Sequence, residues 1–182
     1  MRFRENRILA CFIALVVVLV TILASGGGRL GAQRAAAEEL FYHGKNGSGQ
    51  CIQSDINARL DAACNLITVA GRYMQSGDEK VAALEAATQA LQSAQGISAL
   101  YEANQALDEP TEALYQALNA LSLSDRDESL VQKQYVNFTS RADSIRRDSY
   151  NESARQYNQE RAGMPASLIA SLTGNEPLQL FD

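Results

Sequence analysis

Three stretches of this chain repeat apolar residues at steps of three and four, a spacing that admits little besides helices packed side by side. Ile52, Ile56, Leu60, Ala63, Ile67, Ala70 and Met74 draw one stripe, about 35 Å long on a helix; Arg59, Asp61 and Arg72 fall off it. A second, within residues 79–107, runs through Leu84, Ala87, Leu91, Ala94, Ser98 and Tyr101. Ala83, Ala90, Ile97 and Leu100 widen it, and Gly96 is its weak point. The third runs through Val131, Tyr135, Phe138, Ala142, Ile145 and Ser149, a heptad-like spacing that suits near-parallel packing. Between the last two, Leu114, Leu118 and Leu121 edge a shorter segment. Pro110 near its start suits a first helical turn. Ser76 or Asp78, and Ser124 or Asp125, stand where caps belong. Ala and Leu dominate, Trp is absent, and β-branched residues are sparse outside the N-terminus. The expected fold is all-α, an up-and-down bundle of long antiparallel helices preceded by one N-terminal transmembrane helix.

That preceding helix comes from "ILACFIALVVVLVTILASGGG", residues 8–28, which hold no charge and reach about 32 Å as helix, enough for a hydrocarbon core. A cleaved signal peptide would use the basic start, the apolar run and the small residues Ala24, Ser25 and Gly26. An uncleaved anchor suits the long, Val-rich core better. Arg2, Arg4 and Arg7 precede the run, and Arg29 and Arg34 follow it. The slight excess in front points to the N-terminus inside and the bulk of the chain outside the cytoplasm. The expected organisation is a short basic segment (1–7), a transmembrane helix with a Gly-rich hinge (8–28), a juxtamembrane helix and flexible loop (29–50), and a helical bundle domain (51–182).

Charge narrows the partners. Setting aside Arg2, Arg4, Glu5 and Arg7 leaves 13 of the 16 basic and 20 of the 21 acidic residues. Nucleic-acid binding would call for a basic face, and none is written here. The expected partners are membrane lipid, through residues 8–28, and another membrane or envelope protein; composition is silent on oligomeric state.

Catalytic signatures are missing. His43 is the single histidine, and beside a Gly-rich loop it reads as a surface residue. No GxSxG, HExxH, Walker A or Rossmann glycine pattern occurs. "ASGGGRLG" follows an apolar run rather than a strand, so it does not read as a phosphate cradle. Acidic pairs such as Asp78-Glu79 and Asp108-Glu109 cluster at expected helix starts, where they oppose the helix dipole. A divalent cation at residues 125–128 is the one metal reading the carboxylates leave open. No cofactor, no metal ligand set and no catalytic residue is expected, and the chain is expected not to be an enzyme. Cys51 and Cys64 are thirteen residues apart, about 20 Å on one helix, so a bridge requires Cys51 to fold back. Otherwise both are free thiols.

One pattern resists the bland account. "YNESARQYN" prints Tyr150-Asn151 and, a heptad later, Tyr157-Asn158. On one helix Tyr150, Ala154 and Tyr157 share a face, with Asn151 and Asn158 flanking it. Two readings fit: a polar-edged seam that fixes helix register, or a surface that recognises another chain. Asn46-Gly-Ser, Asn137-Phe-Thr and Asn151-Glu-Ser also match glycosylation acceptors, the last two, in helical pattern, by chance.

These residues carry a resemblance. "YNESARQYNQERAGMPASLIASLTG" is similar to the C-terminal block of the LemA family of bacterial membrane-anchored proteins, at Tyr150, Asn151, Tyr157, Asn158, Pro165, Ala170 and Gly174. Met164 stands where that family usually has Phe. "ARLDAACNLITVAGRY" resembles a second block at Arg59, Asp61, Asn65, Leu66 and Tyr73, with Ala58 replacing one of two basic residues and Cys64 standing at the usual Pro. Residues 75–145 match only in being helical. The resemblance implies a single-pass membrane protein with a helical bundle and no established catalysis. It also implies the company of other membrane proteins, membrane metalloproteases among them. The expected role is a membrane-anchored interaction or scaffold protein of the bacterial cell envelope. The alternative is an extracytoplasmic small-molecule-binding protein, or an enzyme, using an inter-helix cleft.

Overall fold

The computed structural model describes residues 2–182, the side chains of residues 1–6, 8, 19 and 22–24 lying outside the description. Among the described residues there are eight α-helices, one 3-10 turn (Lys45–Gly47) and no strand. They are α1 (Arg2–His43), α2 (Ile52–Tyr73), α3 (Glu79–Ser93), α4 (Ile97–Ala106), α5 (Asp108–Asn119), α6 (Asp125–Arg146), α7 (Ser149–Ala162) and α8 (Ala166–Thr173). No helix among the described residues is long and apolar enough to cross a membrane. Part of the expected 8–28 span, and most of the basic segment 1–7, fall on side chains outside the description.

The chain divides into two compact units. One holds residues 1–37 and 153–178, the other residues 38–152 and 179–182. In the second, α2 packs against α6 along its length and also touches α3 and α5. Its core is apolar, with Ile52, Leu66, Leu84, Leu114, Leu118 and Val131 at 0% exposure.

Two expected long helices are each broken, for reasons the structure supplies. The 79–107 segment stops at Ser93 and restarts after Gly96, whose φ of 81° is a conformation other residues rarely adopt. The last segment is interrupted at residues 147–148. There the Asp148 carboxylate accepts from Tyr150 N–H at 2.8 Å and opens α7, a side-chain competitor for the backbone bond a continuous helix would need. Two expected caps are in place: Asp78 accepts from Lys80 N–H at 2.9 Å, and Ser124 from Asp127 N–H at 3.3 Å.

The glycine run expected as a hinge is instead helical, inside α1. Its missing side chains admit α8. A Cβ on Gly26 would sit 2.6 Å from Ile169 Cδ1, and one on Gly27 2.8 Å from Thr173 Cγ2. In the 29–50 segment, expected as a juxtamembrane helix and flexible loop, α1 runs on to His43 and a 3-10 turn follows at Lys45–Gly47. Leu30 and Ala37 are buried in the first unit and Phe41 in the second.

Candidate functional site

Both Tyr-Asn pairs lie on α7 and grip the chain's own C-terminal segment, each within its own unit. Tyr150 is fully buried, and its hydroxyl donates to Gln179 O at 2.7 Å. Its ring meets Phe41 at 5.3 Å and Phe181 at 6.1 Å, both edge-on, the geometry that ring quadrupoles favour. Phe181 also takes the edge of Tyr101 at 5.1 Å.

Asn151, 3% exposed, uses both ends of its amide. Its Nδ2 donates to Ile145 O at 2.8 Å and Arg146 O at 3.3 Å, carbonyls in the last turn of α6, where the regular helical bonds run out. Its Oδ1 accepts from Phe181 N–H at 2.8 Å. A side chain so enclosed is no glycosylation acceptor.

The second pair repeats the device. Tyr157 is buried, and its hydroxyl donates to Glu176 O at 3.0 Å. Asn158 Nδ2 donates to Leu178 O while its Oδ1 accepts from Leu178 N–H, both at 2.8 Å. This exchange is what two strands do at a hydrogen-bonded pair, with a side-chain amide replacing one peptide. Ala154 is fully buried beside it. Arg161 Nε adds a bond to Asn175 O at 2.6 Å, and Arg34 one to Glu176 O at 3.2 Å. The face that could have met another chain therefore holds residues 175–181 of this one, through their backbone.

The residues of the other sequence block part company. Arg59, expected off the apolar stripe, is 1% exposed. Its guanidinium donates to the Asn104 carbonyl, the Asn104 side chain and the Asp108 carboxylate, and lies 4.0 Å from the centre of the Phe138 ring. Burial draws its pKa down, and Asp108 opposes that. The cavity beside it is small, about 50 Å³.

Leu66 is buried, whereas Asp61 and Asn65 stand exposed one turn apart. Tyr73 joins a fourth set: its hydroxyl donates to Asp127 Oδ2 at 2.7 Å and accepts from Ser124 N–H at 3.2 Å. Arg72 adds an ion pair to Asp127 at 2.7 Å. The Tyr73 hydrogen bond, then Arg72 and Ser124, hold the Asp127 carboxyl below the usual carboxylate range. Pro165, after a cis peptide bond, opens α8, and Gly174 closes it in the left-handed conformation at φ 70°.

Among the described residues, the groups that could bind metal do not converge. Cys51 is buried and Cys64 half-buried, both free. His43 is exposed, with Nε2 3.9 Å from Glu39. No group of three or more His, Cys, Asp or Glu is placed to hold a metal among the described residues. In the second unit Lys45, Arg141, Arg147, Asp55 and Asp148 line a cleft of about 440 Å³. Its charged, hydroxyl-rich wall differs from the mostly apolar lining of small-ligand sites. Burial first, and then Asp55, push the Asp148 pKa up.

The LemA family model matches residues 49–182, spanning α2 through α8. The chain belongs to the LemA family. No curated protein and no solved structure matches it. The match contains both Tyr-Asn pairs, the Arg59 cluster and the C-terminal segment they hold, and begins after the apolar run of α1. What unites this LemA-family chain over residues 49–182 is a helical bundle whose inward polar side chains are largely bonded within their own units.

Proposed function

We propose that this chain is a membrane-anchored, non-enzymatic docking or scaffold protein of the bacterial cell envelope, with residues 8–28 in the bilayer and the bundle outside the cytoplasm. One observation carries the anchor. On α1, Leu9, Phe12, Ile13, Leu15, Val17 and Val20 are each 53–65% exposed. Burying such a side chain from water is worth about 1.5–3 kcal/mol, so a row of them calls for an apolar phase around it. The sequence supplies the missing positions of that row, since Ile8, Leu19, Ile22, Leu23 and Ala24 are apolar as well.

Where the polar groups go supports the docking reading. The Tyr-Asn pairs and Arg59 bond inward, each within its own unit, and leave exposed residues such as Asp61 and Asn65 for a partner. The small-molecule reading rests on the cleft by Lys45 and Arg147.

Proximity cross-linking in native membranes tests the choice. A reproducible membrane-protein neighbour supports docking. A co-purifying small molecule, lost on Arg147→Ala, would replace it. Protease accessibility on intact cells tests the orientation: digestion of the bundle from outside is expected, and protection would reverse it.

A further inference from the structure

We propose that α8 is a second membrane-seated element, an interfacial helix whose Leu168 and Leu172 face, with Met164 in the turn before it, lies at the boundary between lipid headgroups and acyl chains. The proposal rests on the reading of residues 8–28 as a bilayer span. Leu168 and Leu172 stand at i and i+4 on one face of α8, 56% and 71% exposed, and Met164, in the turn before Pro165, is 75% exposed. Ile169 and Ala170, at 7% and 1%, bury the other face. No charged residue lies between Arg161 and Glu176.

Depth decides the occupant. From residue 8 to residue 27 a helix rises about 30 Å, the thickness of a hydrocarbon core. Gly26 and Gly27 therefore mark its edge, and α8 is seated on them: the missing Cβ atoms are what let Ile169 and Thr173 approach. At eight residues, α8 is about 12 Å long and can lie on a bilayer but not cross it. Arg29, exposed two residues beyond Gly27, suits an anionic headgroup layer. Three side chains are also far short of the roughly 20–30 residues a side that a standard protein interface uses, whereas an interfacial helix needs only one apolar face, sunk about 5–10 Å.

The chain contains no tryptophan, so single-Trp variants of the full-length protein report depth without background. Phe12→Trp, Leu172→Trp and Val136→Trp would be reconstituted in phosphatidylcholine vesicles containing anionic phosphatidylglycerol. Lipids brominated near the headgroup or deep in the acyl chain would serve as quenchers. Phe12→Trp is expected to be quenched most by deep bromines, and Leu172→Trp to be blue-shifted and quenched most by shallow ones. Val136→Trp, at a position 52% exposed in the other unit, is expected to emit as in water.

If Phe12→Trp is quenched while Leu172→Trp emits like Val136→Trp, the α8 assignment is overturned and the anchor stands. A blue-shifted Leu172→Trp that no bromine quenches would place the face against protein and overturn it too. If Phe12→Trp escapes quenching, the anchor falls and the seating of α8 with it. Should Leu172→Trp lose its helical circular dichroism, Leu168→Trp carries the same test.

Discussion

In the unit formed by residues 38–152 and 179–182, large apolar side chains point inward: Ile52, Leu66, Leu84 and Leu118 are at 0% exposure, and even Arg59 is enclosed. In the unit formed by residues 1–37 and 153–178, many point outward, from Leu9 and Phe12 on α1 to Leu168 and Leu172 on α8. Yet both units hold their share of the C-terminal segment by the same means, a Tyr hydroxyl and an Asn amide on backbone groups. The internal fastening is shared and the outer surfaces differ. On the function proposed above, the exposed apolar surface of the first unit is where the chain meets lipid.

The sharpest way to break that comparison is to remove the two tyrosines in turn. Tyr150→Ala takes a ring out of an aromatic cluster and is expected to cost about 3–5 kcal/mol in chemical denaturation. Tyr157→Ala, lacking such a cluster among its ring contacts, is expected to cost about 2–4 kcal/mol. Equal costs would mean the Phe41 and Phe181 rings add nothing. A Tyr157→Ala protein that melts like its parent but loses a membrane partner would restore the interaction-surface reading.

Arg59→Met tests the enclosed charge. Asp108, with its side chain 56% exposed, can rehydrate, so the loss falls mainly on the buried Asn104 groups, at about 1–3 kcal/mol. A neutral result would mean that a methionine packs as well there as the ion does.

Asp127 ties stability to pH. Its pKa in the fold lies below the usual value, so the stabilisation is present above about pH 4 and disappears as pH falls through the folded-state value. Asp127→Asn should flatten that acid limb in a series of melting curves, leaving the neutral-to-alkaline region nearly parallel to the parent. The smallest effect belongs to the outward-facing helix. Leu172→Asn, at a position 71% exposed, should change bundle stability by no more than about 0.5 kcal/mol, while shifting a Leu168→Trp reporter toward water-like emission if α8 sits in lipid. A large loss of stability would mean the α8 face is covered.

Much of the fold was legible in the residue order. Steps of three and four announce helices because side chains at those offsets share a face whatever surrounds them. Asp78 and Ser124 announce caps because their partners lie two and three residues away. The break at Gly96 was visible as a weak point but not as a stop, since a glycine in a helical pattern becomes a break only when neighbouring packing demands it. The break at Asp148 left no comparable mark.

The Tyr-Asn repeat was legible as a shared face and illegible as a clamp. What it holds is backbone, 19 to 30 residues further on, and a carbonyl or an N–H is the same in every sequence. Arg59 was misplaced for a related reason: its partners lie 45 and 49 residues away, and periodicity treats every charge as solvent-facing. Local spacing thus determined that this chain is a set of helices with an apolar lead. The tertiary structure decided which polar groups go inside and which apolar ones stay out, because those choices depend on partners distant in the chain.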